Sequence, residues 1–162
     1  MPGAGGDYSG TPHDPALDAR SFLVVVNGDV VSYAAVVRKT IQFNGATFDV
    51  AGLSYVATDP AYEGRGFGSN TVAAATHWME QSGIDFGVFT CDPPLAGFYA
   101  RAGAWLIMPD AVLIGSRARD ALRSDTLGKV VLMRLFSSKA ITAELEITHS
   151  TVDLDLPVGQ FW

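Results

Sequence analysis

Apolar residues follow two spacings along the chain, which predict strands in its first third and helices in its middle. Residues 22–26, 30–43 and 48–58 are rich in β-branched and aromatic side chains, which is typical of strands. Asn27-Gly28 and Asn44-Gly45 separate these segments, and Asn-Gly favours the positive φ angles of tight hairpin turns. We therefore predict three consecutive antiparallel strands.

A helical spacing follows, with Ser69 as the expected N-cap and Gly83 just past the expected end. One face of this helix carries Val72, Ala75 and Met79. An apolar strand is then expected over residues 84–90. Because helical crossovers within a sheet are right-handed, this strand is predicted to lie parallel to the one at residues 48–58. A ligand would bind where the two strands part.

A second helix is predicted after Asp92, which is the expected N-cap, with Pro93 at the first helical position and Gly103 at the end. Its apolar face carries Leu95, Phe98, Tyr99 and Ala102. Beyond it we expect strands over residues 105–108, 111–115 and 129–136, a charged connection over 117–125 and a weak extended segment over 141–149.

The first 20 residues are rich in Gly, Pro, Asp and Ser, which favours a flexible tail with a short turn near residues 15–19. His13, within this tail, is expected to be exposed and inert. Residues 21–162 are expected to form a single domain, because a chain of 162 residues with 48% apolar composition suits one core.

Composition limits the partners. A net charge of −6 and a pI near 4.8 argue against nucleic acid or an anionic membrane as partner. One cysteine, Cys91, allows neither an internal disulfide nor a cysteine-based metal cluster. No signal peptide or membrane-spanning run is present, so a cytoplasmic location is expected. The apolar hairpins and tail are compatible with a homodimer.

Residues 63–68, with the sequence EGRGFG, form a glycine loop between the third strand and the first helix. Glycine at every second position lets a ligand approach the backbone and leaves consecutive N–H groups open to an anion. The spacing excludes a Walker A loop and the GxGxxG dinucleotide fingerprint. A pyrophosphate fits the loop, and the alternative is an ordinary turn whose glycines serve only packing.

The loop resembles motif A of the GNAT family of N-acetyltransferases, (R/Q)-x-x-G-x-(G/A) after a strand. The strand end is Val56-Ala57-Thr58-Asp59-Pro60, and Glu63 stands where the family usually has Arg or Gln. A second family phrase, (A)-x-x-(F/L)-Y-x-x-x-G-(F/W), matches AGFYARAGAW at residues 96–105. The two motifs occur in the family's order.

The resemblance implies the GNAT fold, an α/β (α+β) arrangement with a mixed, mostly antiparallel sheet, a central parallel strand pair and flanking helices. It implies acetyl-CoA as co-substrate, an amine as acceptor and no metal. The expected acetyl-CoA contacts are Val56, Ala57, Thr58, Glu63, Gly64, Arg65, Gly66, Phe67, Gly68, Ser69 and Thr90. The tail DLPVGQFW resembles the aminoglycoside 2'-N-acetyltransferases, and its D-x-P-x-G phrase resembles the acyltransferase NodA.

Three residues are the catalytic candidates that this resemblance implies. Tyr99 is the expected proton donor, because a phenol has a pKa slightly above that of the leaving thiol. Ser54 and the terminal carboxylate of Trp162 are the groups expected to meet the amine. In the aminoglycoside enzymes acidic residues stand where this chain has Ser54 and Gln160, so the base stays open, with a water relay from Ser54 to Asp125 as one alternative.

Other functions are compatible with the same motifs. One is a non-catalytic acyl-CoA binding protein that keeps the loop without a base, and another is a NodA-like N-acyltransferase that uses a longer acyl chain.

Family members usually have a longer segment before the first strand, which walls the acceptor side. The start of this chain is therefore expected to be truncated, completed by a partner subunit, or open to a larger acceptor.

Overall fold

The computed structural model describes residues 13–162, and the tail prediction for residues 1–12 lies outside them. The strands are β1 (Arg20–Val26), β2 (Asp29–Phe43), β3 (Ala46–Thr58), β4 (Phe86–Cys91), β5 (Leu106–Ile107), β6 (Val112–Ile114), β7 (Val130–Leu135) and β8 (Thr151–Asp153). The helices are α1 (Phe67–Gln81), α2 (Ala96–Gly103), α3 (Ser138–Thr142) and α4 (Glu144–Thr148).

Six strands form one mixed sheet in the order β1-β2-β3-β4-β7-β5. Neighbours in it are antiparallel except β3 and β4, which lie parallel, with Val50 opposite Phe86 and Ala51 opposite Gly87. α1 connects these two strands, as the crossover rule predicts. β6 and β8 form a separate parallel pair. The predicted fold, a mostly antiparallel sheet with a central parallel pair and flanking helices, is confirmed.

The parallel strands part soon after they pair. No pairing between them follows Ala51 and Gly87, although β3 continues to Thr58 and β4 to Cys91. The register between β2 and β3 also shifts next to Tyr55, which has a φ of 52°. A non-glycine residue at positive φ is uncommon, and a β-bulge bends its strand and re-aims side chains. The sheet is therefore open at the edge where the sequence predicts a ligand.

An aromatic cluster holds α1 and α2 against β4. The Trp105 ring lies 4.8 Å from that of Phe89, and its indole N–H donates to Thr76 Oγ1 at 2.9 Å. A Cβ on Gly103 would lie 2.7 Å from the same Thr76 oxygen, so only glycine fits beneath the indole. This packing fixes the position of α2.

The predicted N-cap of the first helix is wrong. α1 begins at Phe67 with Gly66 as N-cap, and Ser69 lies within the first turn. Gly66 has a φ of 81°, a conformation open to glycine, so the chain enters the helix directly from the loop. The N–H groups of Phe67, Gly68 and Ser69 consequently lie before the first intrahelical bond, from Asn70 N–H to Gly66 O.

Asp92 does not cap α2 as predicted. A short 3₁₀ turn, Pro93–Leu95, precedes the helix, and the carboxylate of Asp92 instead pairs with Lys129 at 2.7 Å. The Pro93-Pro94 sequence favours this turn, because proline restricts both its own φ and that of the preceding residue. The predicted end of the helix at Gly103 is confirmed.

The predicted extended segment over residues 141–149 is wrong, because it forms part of α3 and all of α4. The β-branched residues Ile141, Thr142, Ile147 and Thr148 favour a strand only weakly. A local cap favours α3, since Ser137 Oγ accepts a hydrogen bond from Ala140 N–H at 3.0 Å, whereas α4 has no side-chain cap.

The described residues before β1 pack on the domain. A 3₁₀ turn, Pro15–Leu17, occupies the position predicted for a short turn, and Leu17 belongs to the core. Among residues 13–162, no helix is long and apolar enough to cross a membrane. The division into a tail and one domain at residue 21 stays a prediction.

Candidate functional site

A cavity of about 440 Å³ lies where β3, the glycine loop and α2 meet, and we call it the glycine-loop cavity. Its walls are Val56, Ala57, Thr58, Tyr62, Glu63, Gly64, Gly66, Phe67, Gly68, Ser69, Leu95, Phe98 and Tyr99. A single stretch of chain, residues 56–69, therefore supplies most of the cavity, and α2 with its preceding turn closes the other side.

The glycines of the loop have two different functions. Gly64 and Gly66 adopt φ angles of 74° and 81°, which other residues rarely adopt. Gly68 has an ordinary φ, but a Cβ there would lie 2.9 Å from Thr58 Oγ1. The loop thus turns into α1 against the end of β3, and the residues of the first helical turn line the cavity. A helix start of this kind binds anions well.

A chain of buried hydroxyl groups ties this loop to the sheet. Thr71 Oγ1 donates to Ser32 Oγ at 2.9 Å, and Ser32 Oγ lies 3.0 Å from Thr58 Oγ1. Thr71 Oγ1 also lies 2.8 Å from the Phe67 carbonyl oxygen. The first turn of α1 is therefore held against β2 and β3. No pattern in the sequence predicts this hydrogen-bond network.

Tyr99 lies on α2 at the cavity wall and is 7% exposed. Its ring packs edge-on against Phe89 at 4.9 Å and against Phe98 at 5.1 Å. Burial, assisted by the nearby Cys91, raises the pKa of Tyr99 to about 12. The phenol is therefore fully protonated at neutral pH and available as a hydrogen-bond donor.

Trp162 fills the gap between the parted strands. Its indole N–H donates to the Val88 carbonyl at 2.8 Å, and its own backbone oxygen accepts from Thr90 Oγ1 at 3.2 Å. A Cβ on Gly52 would collide with the Val88 oxygen and lie 2.5 Å from the indole. Trp162 thus satisfies a strand carbonyl that the parting of β3 and β4 leaves without a ladder partner.

Ser54 and Trp162 belong to a second cavity, of about 210 Å³, rather than to the first. Its walls are His13, Asp14, Leu17, Val37, Ser54, Tyr55, Leu156, Gly159, Gln160, Phe161 and Trp162. The sequence prediction of an exposed His13 is wrong, because this ring is partly buried and its Nε2 lies 3.1 Å from Ser54 Oγ. The two cavities adjoin along β3, since Tyr55 lines one and Val56 lines the other.

The predicted acetyl-CoA contacts lie mostly together. Arg65 and Thr90 do not line the glycine-loop cavity: the guanidinium of Arg65 lies over the Tyr62 ring at 5.2 Å, and Thr90 lies beside Trp162. Asp125 lines neither cavity and forms a 2.9 Å ion pair with Arg123. Burial raises the pKa of Cys91, which disfavours the thiolate and agrees with the expectation that this residue is not a nucleophile.

Sequence reasoning missed several wall residues. Tyr62, Leu95 and Phe98 line the glycine-loop cavity. Leu95 and Phe98 had a signal in the sequence, the apolar face predicted for the second helix, whereas Tyr62 had none. His13 and Asp14 were missed in the second cavity, because they lie in a segment without an apolar pattern.

The acetyltransferase (GNAT) family model matches residues 5–104. This match spans more than half of the chain, so the chain belongs to the acetyltransferase (GNAT) family. The enzyme class expected from the sequence, an acyltransferase, is the class that this family defines.

One solved structure shows the same fold, and two others match part of the chain. The GNAT family N-acetyltransferase YhbS of Escherichia coli, in complex with CoA, matches with a TM-score of 0.55 at 16% identity, over 82% of this chain and 68% of that one. A GCN5-related N-acetyltransferase of Kribbella flavida matches with a TM-score of 0.45 at 22% identity, over 60% of this chain and 22% of that one. Eis1 of Mycobacterium abscessus matches with a TM-score of 0.45 at 17% identity, over 51% of this chain and 21% of that one.

The chain therefore spans about a fifth of the length of the latter two proteins. The search of curated proteins found no match.

Proposed function

We propose that this protein is an acetyl-CoA-dependent N-acetyltransferase that transfers the acetyl group directly to an amine. The observation that carries the proposal is the glycine-loop cavity, whose walls combine the end of β3, the first turn of α1 and Tyr99. Family membership supplies the reaction class.

The residues present fit acetyl-CoA. The amides of Phe67, Gly68 and Ser69 would bind the pyrophosphate, since they precede the first intrahelical bond and lie at the positive end of the helix dipole. Val56, Ala57 and Thr58 would hydrogen-bond the pantetheine arm through backbone groups that β4 does not pair. Gly68 keeps this approach close, because a Cβ there would press on Thr58.

Tyr99 would stabilise the departing thiolate. A phenol with a pKa of about 12 is a weak acid beside a thiol. With a thiol pKa of about 8.5, full proton transfer from Tyr99 is uphill by about 5 kcal/mol. Tyr99 therefore acts chiefly by donating a hydrogen bond to the sulfur as negative charge develops there, which is a form of electrostatic stabilisation.

The acceptor that we propose is an aminosugar, with an aminoglycoside as one example. The support is the likeness of the C-terminal DLPVGQFW sequence to the aminoglycoside 2'-N-acetyltransferases, together with a second cavity whose walls include polar groups of Asp14, Ser54 and Gln160. These oxygens accept hydrogen bonds from amino and hydroxyl groups.

A second candidate function is acyl-CoA binding without catalysis. Its specific support is the uncharged Ser54 at the strand position where the aminoglycoside enzymes carry an acid, and the Trp162 indole that fills the strand gap. This candidate predicts acetyl-CoA binding with no transfer to any amine. A NodA-like enzyme, by contrast, would transfer longer acyl chains at a higher rate than acetyl.

The test is thiol release from acetyl-CoA, measured with a panel of amines that includes glucosamine and an aminoglycoside. The proposal predicts amine-dependent thiol release and an acetylated amine detectable by mass spectrometry. Gly66→Glu should abolish both, whereas Gly28→Glu, at a positive-φ glycine in the β1–β2 turn, should abolish neither. Acetyl-CoA binding without acetylation of any amine would favour the binding protein instead.

A further inference from the structure

The second cavity contains a hydroxyl and an imidazole in hydrogen-bond contact. His13 Nε2 lies 3.1 Å from Ser54 Oγ, and the His13 ring packs edge-on against Tyr55 at 4.8 Å. Burial lowers the pKa of His13 below its ordinary value of 6.5. The ring is therefore neutral at pH 7, which is the form of histidine that accepts a proton.

The position of this pair suits the acceptor side of the reaction. Ser54 and Tyr55 immediately precede Val56, the first β3 residue at the wall of the glycine-loop cavity. The bulge at Tyr55, with its φ of 52°, is the point at which β3 passes from one cavity to the other. A hydroxyl at Ser54 thus lies next to the strand segment along which the acyl group would be held.

In the second cavity, the hydrogen-bond donors are too few to satisfy every acceptor. Gln160 Oε1 is buried and accepts no hydrogen bond from the described residues, while Gln160 Nε2 donates to Asp14 Oδ2 at 3.3 Å. Hydrogen bonds from the Ala16 amide and from Gln160 lower the pKa of Asp14, which is therefore ionised at neutral pH. A buried acceptor without a partner favours a ligand that supplies an N–H or O–H group.

We propose that the second cavity binds the acceptor amine and that Ser54 and His13 remove its proton. This inference rests on the proposed acetyltransferase function. As the amine nitrogen bonds to the acetyl carbon and the carbon–sulfur bond breaks, the amine proton passes to Ser54 Oγ and the Ser54 hydroxyl proton passes to His13 Nε2. The electron pair of the broken bond stays on the sulfur, beside Tyr99.

The cavity also defines a class of acceptor. The Gln160 oxygen and the Asp14 carboxylate would bind a second donor on the substrate, so the structure favours a small amine with a neighbouring hydroxyl or amino group. Glucosamine is a probe of this class, and cyclohexylamine is a matched probe that has the ring and the amine without the hydroxyl groups.

The decisive variant is His13→Gln, which keeps a hydrogen-bonding side chain but cannot accept the proton. With a fixed amine, we expect kcat/KM at neutral pH to fall by about a hundredfold or more. Wild-type activity should fall as the pH drops through the pKa of His13, because protonation removes the base. His13→Gln should lack this fall in activity, because it has no imidazole to protonate. The titration of the amine itself affects both proteins equally. Asp14, Tyr55 and the terminal carboxylate of Trp162, which also lie at this cavity, are the same in both proteins.

Controls separate catalysis from folding. His77→Gln replaces an exposed histidine on α1, with a side chain 73% exposed, and should behave as wild type. Acetyl-CoA affinity should be unchanged in His13→Gln, since His13 does not line the glycine-loop cavity. Added imidazole should restore activity to His13→Ala, an effect that a purely structural histidine would not show. Gln160→Leu should weaken the use of glucosamine more than that of cyclohexylamine.

The outcomes are distinguishable. A wild-type protein that neither binds acetyl-CoA nor transfers acetyl overturns the proposed function and this proposal together. A wild-type protein that transfers acetyl, with His13→Gln matching His77→Gln in rate and pH profile, overturns only the roles of Ser54 and His13. A reduced rate with an unchanged pH profile and no imidazole rescue also contradicts them.

Discussion

The two cavities differ in how the chain builds them. The glycine-loop cavity comes mainly from one continuous stretch, residues 56–69, whose glycines determine the geometry of the turn and the start of the helix. The second cavity joins residues from both ends of the described part of the chain, such as Asp14 and Gln160, which are 146 positions apart and in hydrogen-bond contact. The glycine-loop cavity is mainly a local motif, whereas the second cavity forms only when residues distant in sequence come together.

The two cavities differ in the same way in the molecules that they are proposed to bind. A pyrophosphate is common to every acyl-CoA, so a local loop suffices to bind it. An acceptor amine differs between enzymes of one fold, and the cavity proposed to bind it here takes residues from loops as well as from β2 and β3. Substitutions that affect one cavity and leave the other intact would sharpen the comparison.

The largest effect is expected from Gly66→Glu. A side chain at φ 81° strains the entry to α1, and its carboxylate places negative charge where the pyrophosphate would bind. We expect acetyl-CoA affinity to fall by more than about a hundredfold, or about 2.8 kcal/mol, by isothermal titration. Gly28→Glu carries similar backbone strain in the β1–β2 turn and should bind normally. Equal affinity in the two variants would show that the loop does not bind the co-substrate.

A smaller effect, confined to the other cavity, is expected from Gly52→Ala. The added Cβ would collide with the Val88 oxygen and displace the Trp162 indole. We expect the free energy of unfolding to fall by about 2 kcal/mol, as for overpacked cores, with acetyl-CoA affinity retained. Gly97→Ala is the control, because its Cβ would meet only the flexible end of Arg101 at 3.2 Å. Denaturant unfolding that leaves Gly52→Ala as stable as wild type would contradict the packing described for Trp162.

Tyr99→Phe tests the chemistry at the wall of the glycine-loop cavity. Phenylalanine keeps the ring contacts with Phe89 and Phe98 but removes the hydroxyl. We expect kcat to fall by about tenfold, with acetyl-CoA affinity unchanged, because the hydroxyl acts only as charge develops on sulfur. With a pKa of about 12, Tyr99 should add no pH dependence between pH 6 and 9. Equal turnover in Tyr99→Phe would remove this residue from the mechanism.

The smallest effect is expected from Thr71→Val, which removes the hydroxyl that bonds Ser32 at 2.9 Å. We expect a loss of about 1 kcal/mol in unfolding free energy and a modest rise in the dissociation constant for acetyl-CoA. Thr142→Val is matched, since Thr142 Oγ1 also bonds the carbonyl four residues before it, at 2.8 Å, but on an exposed helix. Similar losses in both variants would show that the buried hydroxyl chain adds nothing.

The sequence was sufficient where local rules dominate. Asn27-Gly28 and Asn44-Gly45 mark the two hairpin turns, and the alternation of strand and helix predicts the parallel pair of β3 and β4. The contacts that the family resemblance implies between Val56 and Ser69 line one cavity almost without exception. Arg65 is the exception, since its side chain stacks on Tyr62.

Local rules failed where tertiary contacts decide. Ser69 resembles an N-cap in sequence, but Gly66 can adopt a positive φ and starts the helix three residues earlier. His13 has no pattern around it, yet Leu17 packs into the core and holds that segment over β3 beside Ser54. Nothing in the spacing of residues 13 and 54 indicates their contact.

Isothermal titration of the purified protein with acetyl-CoA, followed by glucosamine in the same cell, tests the central claim most directly. The account predicts saturable binding of acetyl-CoA that is lost in Gly66→Glu and kept in Gly28→Glu, and then heat of turnover when the amine is added. Absence of acetyl-CoA binding in the wild-type protein would contradict it, because the glycine loop would then serve only the packing of α1 against the sheet.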